Sequence, residues 1–156
     1  TVQIKVRLNG RDIVAHVPAR ENLADFVRHR MGLMGTNVGC EQGICGACTV
    51  RLNGHIVRSC LTLAVQADGQ SVDTIEGLNA SAEIADLQSA FHQHNAAQCG
   101  YCTPGMLLSA EELLQQKKQL DRNTIREFLS GNYCRCTGYQ AIVDAVEQVN
   151  RERGND

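Results

Sequence analysis

The first part of the chain alternates hydrophobic and polar residues with a period of two, which is the pattern of half-buried β-strands. One such strand covers residues 2–8. Asn9-Gly10 follows it, and this dipeptide is the strongest short-range signal for a two-residue hairpin turn. The pattern therefore predicts a hairpin whose second strand ends at Pro18 and carries three alternating hydrophobic residues: Ile13, Ala15 and Val17.

A helix and three more strands are predicted before residue 77. Asn22 is a candidate N-cap for the helix, because its short side chain can accept from a free backbone N–H. The residues after it recur at helical spacing: Leu23, Phe26, Val27, Arg30 and Met31. The strands are expected at residues 49–52, 55–59 and 71–75, the first two joined by an Asn53-Gly54 turn. Two hairpins, one helix and a final strand predict a β-grasp sheet of the plant-ferredoxin type.

Beyond residue 82 the hydrophobic period becomes helical, and residues 76–82 are interpreted as a linker. Four helices are predicted, with inner faces drawn from Ile84, Leu87, Phe91 and His94; Leu107, Leu108, Glu111, Leu114 and Lys118; a third segment ending at Gly131; and Ile142, Ala145, Val146 and Val149. Their expected N-caps are Thr103 before Pro104, then Asp121 or Asn123, and Thr137. The fold class is therefore α+β: a ferredoxin-like domain over residues 1–76 and a four-helix bundle over residues 77–156.

Composition narrows the function classes. The 156 residues are 43% hydrophobic, enough for packed cores, and the formal net charge is −2. A nucleic-acid-binding domain would carry an excess of Lys and Arg, so nucleic acid is not expected as a partner. No apolar run approaches the roughly 20 residues of a membrane-spanning helix, and no signal peptide is visible, although residue 1 is not Met. We expect a cytoplasmic protein, with a membrane-associated or exported complex as the alternative.

Eight cysteines form two sets of four, and they carry the chemistry. The first set is a C-x4-C-x2-C run with a later fourth member: Cys40, Cys45, Cys48 and Cys60. The second set joins a C-x2-C pair to a C-x-C pair: Cys99, Cys102, Cys134 and Cys136. Four thiolates are a full ligand set for one [2Fe–2S] cluster, and the first spacing is that of plant-type ferredoxins. With no evident catalytic base or nucleophile, the chain is interpreted as a conductor of electrons between two clusters.

Other interpretations of the cysteines are weaker. A disulfide framework belongs to small secreted domains, and this chain is long enough to build cores without one. Zinc fits the second set loosely and the first set badly, because zinc cysteines come as separated knuckles. A Rieske-type centre needs two histidine ligands. The histidines lie outside both motifs and are expected to be surface or packing residues: His16, His29, His55, His92 and His94.

The surroundings of the cysteines support a cluster. Gly39, Gly43 and Gly46 interleave with the first set, and glycine lets backbone N–H groups approach sulfur closely. The pairs of the second set are predicted to precede helices, whose N-termini present free N–H groups and a partial positive charge. Arg135 lies between two cysteines, where it either stabilises cluster charge or remains a solvated surface residue.

Three segments resemble the small iron–sulfur subunit of the xanthine oxidase, or molybdenum hydroxylase, family: GCEQGICGACTV, QCGYCTPGM and GNYCRCTGY. The likeness spans roughly residues 2–150. It implies a heteromeric enzyme, with a dimer of heterotrimers as one assembly. A large subunit carries the molybdopterin cofactor and binds substrate, a medium subunit usually carries FAD, and the small subunit relays single electrons between them.

The resemblance also assigns roles to residues. It makes the second cysteine set the ligands of the cluster near molybdenum, and the first set those of the cluster facing the flavin. It places Gln98 and Cys136 against the pterin, where a primary amide can both donate and accept. An ordinary helix-end Gln is the alternative. The substrate stays open among aldehydes, purines, N-heterocycles and carbon monoxide, because this chain has no substrate-binding active site of its own.

Two other functions compete with the subunit hypothesis. A free-standing two-cluster electron carrier would expose a cluster edge on a soluble, acidic surface, whereas a subunit would show apolar patches suited to obligate interfaces. A cluster-sensing regulator has no DNA-binding motif or basic stretch to support it.

Overall fold

The computed structural model describes residues 1–116 and 119–154. In its N-terminal part five strands form one sheet: β1 Val2–Leu8, β2 Arg11–Val17, β3 Thr49–Leu52, β4 His55–Arg58 and β5 Ser71–Asp73. Their order across the sheet is β2-β1-β5-β3-β4. Only β1 and β5 run parallel; the other neighbours are antiparallel. All five predicted strands are confirmed, although β4 and β5 end one and two residues earlier than expected.

Both predicted hairpin turns are present. Asn9 and Gly10 have φ of 48° and 81°, and Asn53 and Gly54 have φ of 49° and 85°. Positive φ at both central residues is the geometry of a type I′ turn, whose twist matches that of the flanking strands. The Asn-Gly pairs thus set the register of both hairpins, pairing Val2 with Val17 in the first.

The sheet buries one face against helix α1 (Leu23–Asp25), which continues as a π-helical turn over Phe26–Arg30. Asn22 caps this helix as predicted, with its Oδ1 accepting from the Asp25 N–H at 2.8 Å. The hydrophobic core beneath the sheet combines alternate strand residues with the helix: Ile4, Val6, Leu8, Val17, Leu23, Phe26, Val27, Val50, Ala64, Ala67 and Val72.

Five helices follow within the described residues: α2 Ile75–Ala80, α3 Ala85–Gln93, α4 Thr103–Gln116, α5 Arg122–Leu129 and α6 Gln140–Gly154. They enclose a second hydrophobic core, which includes the predicted inner face of α6 and that of α3 except for His94. Lys118, placed by the sequence on the helix that is α4, lies outside the described residues. None of the helices described is long and apolar enough to cross a membrane.

Three sequence-based boundaries in this part need correction. Most of the predicted linker 76–82 belongs to α2, because Leu78 is hydrophobic and packs into the helical core. Thr103 is the first helical residue and not the cap. Thr137 lies three residues before α6, so it does not cap that helix. Asp121 is confirmed as a cap, since its Oδ1 accepts from the Thr124 N–H at 2.7 Å.

Polar contacts join the helices to the sheet. The buried Arg51 on β3 donates to Glu83 before α3 at 2.9 Å, and the Ile56 N–H on β4 donates to Glu112 on α4 at 2.9 Å. Arg51 holds the pKa of Glu83 below its ordinary value through this hydrogen bond. These contacts fix how the helical core lies on the sheet.

A second arginine ties the helices to one another. Arg153 on α6 donates to Asp86 on α3 at 2.7 Å and to the buried Glu111 on α4 at 2.8 Å. The hydrogen bond from Arg153 lowers the pKa of Asp86, and Asp86 in turn raises that of Arg153. Asp86 is therefore favoured in the ionised form.

Candidate metal centres

The first cysteine set lies in the loop between α1 and β3, with Cys60 in the helical turn that follows β4. Cys40 forms a thiol contact with Cys45, and Cys60 forms one with Cys48. Cys60 is also close enough to Cys40 for their sulfur atoms to interact electrostatically. The fold therefore brings together four cysteines that the sequence grouped by spacing alone.

Backbone N–H groups point at the sulfur atoms of this set. Cys40 Sγ accepts from the N–H of Gln42 at 3.3 Å and from that of Cys45 at 3.4 Å. Cys45 Sγ accepts from Ala47 at 3.5 Å, and Cys48 Sγ accepts from Cys60 at 3.5 Å. Donors of this kind stabilise negative charge on sulfur, so the loop suits thiolates.

The two ends of this set differ in acidity. The hydrogen bonds from the N–H groups of Cys45 and Gln42 lower the pKa of Cys40 to about 6. Burial, followed by the contact with Cys48, raises the pKa of Cys60 to about 11. Cys40 is therefore the readier thiolate of the two.

The glycines of this loop behave as predicted in two of three cases. Gly43 and Gly46 have φ of 77° and 75°, which side chains rarely adopt. Gly39 does not need a positive φ, but a Cβ there would lie 3.0 Å from Cys45 Sγ. The loop thus closes tightly around its own sulfur atoms.

The second cysteine set joins two loops. Cys99 and Cys102 directly precede α4, while Cys134 and Cys136 lie between α5 and α6. Cys102 forms a thiol contact with Cys134, and Cys99 is close enough to Cys102 for their sulfur atoms to interact electrostatically. The prediction of a helix start after each pair holds for Cys102; α6 begins four residues beyond Cys136.

Thr137 is a functional residue that the sequence assigned to another role. Its hydroxyl donates to Cys134 Sγ at 3.0 Å, and its N–H donates to the same sulfur at 3.4 Å. Burial alone would raise the pKa of Cys134, but hydrogen bonds, foremost those from Thr137, together outweigh it and lower that pKa. Burial raises the pKa of Cys102 to about 12. A threonine one residue after a C-x-C pair was the available signal.

The number and pairing of the cysteines suit a two-iron cluster. All eight are free thiols, which rules out the disulfide alternative in this structure. Within residues 1–116 and 119–154, no group of three His, Cys, Asp or Glu side chains is arranged to hold a single metal ion. A [2Fe–2S] cluster spreads four thiolates over two iron atoms, so paired thiols with N–H donors suit it.

The remaining predicted site residues lie at the surface. Gln98 and Cys136 are both exposed, as are Cys99 and Arg135. Of the histidines, only His94 is partly buried, and its Nε2 lies 2.5 Å from Gln148 Oε1; the other four are exposed.

Several hydrogen bonds connect the cysteine loops. The Tyr133 N–H donates to the Cys45 carbonyl oxygen at 2.8 Å. The Tyr101 hydroxyl donates to the Val38 carbonyl oxygen at 2.6 Å, and Asn37 donates to the Tyr101 carbonyl oxygen at 2.9 Å. These links could not be predicted from the sequence, because the partners are far apart along the chain.

Comparisons with known proteins agree with this geometry. Residues 6–81 match the 2Fe-2S iron-sulfur cluster binding domain, and residues 74–147 match the [2Fe-2S] binding domain. The chain is 51% identical to the nicotine 6-hydroxylase small subunit of Paenarthrobacter nicotinovorans, over 99% of this chain and 93% of the relative. The chain belongs to the family of small [2Fe–2S] subunits of molybdenum hydroxylases.

Two further relatives of this small-subunit family cover nearly the whole chain. The gamma subunit of caffeine dehydrogenase from Pseudomonas sp. (strain CBB1) is 47% identical over 94% of this chain and 90% of its own length. The solved structure of quinoline 2-oxidoreductase from Pseudomonas putida 86 contains a chain that superposes with a TM-score of 0.89 at 46% identity. That superposition covers 97% of this chain and 96% of the other.

Proposed function

We propose that this chain is the electron-transfer subunit of a molybdopterin-dependent hydroxylase or dehydrogenase. It relays single electrons from the molybdenum site to FAD or another acceptor, and it has no substrate-binding active site. The observation that carries the proposal is the pair of four-cysteine sets, each furnished with N–H donors and joined by direct hydrogen bonds. When bound, a [2Fe–2S] cluster supplies a one-electron centre at each set.

The ligands of one cluster are Cys40, Cys45, Cys48 and Cys60, and those of the other are Cys99, Cys102, Cys134 and Cys136. The thiol contacts support dividing each set into pairs, one pair for each iron. Cys40 with Cys45 and Cys48 with Cys60 are the pairs of the first set. Cys102 with Cys134 is one pair of the second, which leaves Cys99 and Cys136 as the other.

These sets lie in a domain pair whose boundary is residue 76. Residues 1–76 form the ferredoxin-like domain around the sheet core, and residues 77–156 form the helical domain. Four of its helices, α3 to α6, constitute the four-helix bundle. The two separate hydrophobic cores support this division.

The second cysteine set faces the molybdopterin-binding large subunit. Gln98 and Cys136 contact the pterin, and their exposure leaves both available to a partner. Gln98→Ala should keep the iron content and slow the reduction of the clusters by substrate, while dithionite reduces them at the wild-type rate. Substrate reduction at the wild-type rate would remove Gln98 from the relay.

The first cysteine set faces an FAD-binding medium subunit. Ile44, next to Cys45, is 49% exposed, and Leu61, next to Cys60, is 60% exposed. Exposed apolar side chains beside the cysteine loop suit a buried subunit contact better than open water. The assembly is a heteromer in the cytoplasm, and a dimer of heterotrimers is one arrangement of it.

A free-standing soluble carrier is the alternative function. Affinity purification of the tagged chain from its own cells separates the two. Co-purification of a molybdenum-containing subunit, with cluster reduction on addition of the enzyme's substrate, supports the proposal. Recovery of a monodisperse monomer that carries four iron atoms and lacks molybdenum would support the carrier.

A further inference from the structure

The inference concerns how the two cysteine sets communicate, and it rests on the proposed electron-transfer function. We propose that the hydrogen bond from the Tyr133 N–H to the Cys45 carbonyl oxygen is the contact through which an electron passes between the sets. We further propose that Asn132 is the positioning residue that holds this contact closed.

The contact joins one cysteine directly to the neighbour of another. Cys45 contributes its own carbonyl oxygen, and Tyr133 is covalently adjacent to Cys134. The path therefore consists of the Cys45 side chain and carbonyl, one hydrogen bond, one residue of backbone and the Cys134 side chain. The transfer moves one electron and no atom or proton: one cluster loses the electron and the other gains it.

The second link between the loops is a poorer route. It runs from Cys40 through the backbone of Gly39 to the Val38 carbonyl oxygen, and then through the hydroxyl and whole ring of Tyr101 before it reaches Cys102. Because electronic coupling decays with every bond crossed, this longer path contributes little beside the first. Removal of the first link should therefore slow electron transfer between the sets, whereas removal of the second should not.

Asn132 is built into the contact between the loops. It is 2% exposed, its Nδ2 donates to the Gly46 carbonyl oxygen at 3.2 Å, and its Oδ1 accepts from the Ser109 hydroxyl on α4 at 2.8 Å. Asn132 directly precedes Tyr133, and its amide is thus hydrogen-bonded to Gly46, which directly follows Cys45. Within the described part of the chain, its side-chain hydrogen bonds go to Gly46 and Ser109 and not to a cysteine, so its role is to position the neighbouring backbone.

The two cysteine loops are closely packed around Gly46. A Cβ on Gly46 would lie 2.6 Å from the Gly131 carbonyl oxygen, so the two loops are already in close contact. The Gly46 carbonyl oxygen also accepts from the Thr49 hydroxyl at 2.7 Å. Loss of the Asn132 amide therefore leaves the turn at Gly46 held by Thr49 and affects the contact between loops.

The test uses the purified complex and four variants. Tyr133→Pro removes the N–H donor, and Tyr133→Ala is its matched control, since it keeps the donor and removes only the exposed ring. Asn132→Leu fills a similar space without either amide hydrogen bond, and Ser109 can then donate to its own helix backbone. Tyr101→Phe breaks the hydroxyl bond of the longer link.

The measurement is the rate at which an electron, injected by flash photolysis, equilibrates between two clusters with distinct spectra. Iron and acid-labile sulfide content and the two midpoint potentials are measured beside it. Asn132→Leu should slow equilibration by roughly threefold to tenfold, the population change expected for losing one or two hydrogen bonds. Tyr133→Pro removes the donor itself and should slow equilibration at least as much. Tyr133→Ala and Tyr101→Phe should equilibrate at the wild-type rate, and all potentials should stay unchanged.

Asn132→Leu keeps the inference testable if Tyr133→Pro fails to assemble its clusters. A wild-type rate in Asn132→Leu with full iron content would overturn the inference, as would a slowed rate in Tyr101→Phe. Failure of the proposed function gives a different result: wild-type clusters would accept the injected electron but would not be reduced by the substrate of the complex.

Discussion

Thr137→Val should lower the reduction potential of the cluster at the second cysteine set. The threonine hydroxyl donates to Cys134 Sγ at 3.0 Å, and the backbone N–H donates at 3.4 Å. Reduction adds negative charge that the cysteine sulfurs share, so a donor at sulfur stabilises the reduced state more than the oxidised state. Valine has nearly the same shape as threonine and keeps the N–H, but it lacks the hydroxyl donor.

The size of the effect follows from the strength of that bond. A hydrogen bond to a charged group contributes about 1.5–3 kcal/mol, and only the part that differs between the redox states enters the potential. A tenfold change in the reduction equilibrium corresponds to about 59 mV for one electron. If roughly half of the bond energy depends on the redox state, the shift is about 30–60 mV toward more negative values.

A redox titration of the purified complex, followed by EPR, measures both clusters together. Thr137→Ser keeps a hydroxyl and should titrate like the wild type, and the cluster at the first cysteine set serves as an internal reference. Iron content must remain complete in all variants. An unchanged potential in Thr137→Val, or equal shifts at both clusters, would refute the hydrogen-bond argument.

Three further predictions concern the first cysteine set and the charged contacts. Cys45→Ser should remove the iron of the first set and leave the EPR signal of the second, since the sets lie beside separate cores; loss of both signals would contradict this. Gly46→Ala should lower the free energy of unfolding by about 1–3 kcal/mol more than Gly69→Ala, because both have positive φ but only Gly46 is crowded. If denaturant unfolding gives equal losses, crowding at Gly46 has no role. The stability contributed by the ion pairs of Glu83 and Asp86 should be fully present above about pH 5. It should fall as pH drops through the depressed pKa values of Glu83 and Asp86, and Asp86→Asn should lose part of that dependence.

The strands were predictable because each buries one face, so that hydrophobic residues alternate as in Ile4, Val6 and Leu8. The hairpins were predictable because Asn-Gly adopts positive φ at both turn residues. The start of α2 was missed because its residues have no clear period. Leu78 is held there by tertiary contacts with the helical core, which a local pattern does not contain.

The cysteine sets were predictable too, because the spacing of the ligands can be counted along the sequence. The link from Tyr133 to Cys45 was not, since it depends on how α4 and α5 place one loop against another. Thr137 was assigned to a helix start because a hydroxyl that can cap a helix can equally donate to sulfur. The sequence showed that the Thr137 hydroxyl could donate a hydrogen bond, but only the fold showed that the acceptor is Cys134 Sγ.

The relative position of the two cysteine sets is therefore a property of close packing and not of the segment that joins them. Gly105 at the start of α4 has no room for a Cβ against the Gly46 carbonyl oxygen, and Asn132 fills the adjacent space with its amide. Backbone in contact with backbone cannot adjust as a flexible side chain can. Changes in the exposed residues of 79–83 should consequently be tolerated, apart from Glu83, whereas a single methyl group at Gly46 or Gly105 must move one cysteine loop away from the other. An electron relay needs its centres at a fixed separation, and this chain meets that need where its two loops touch.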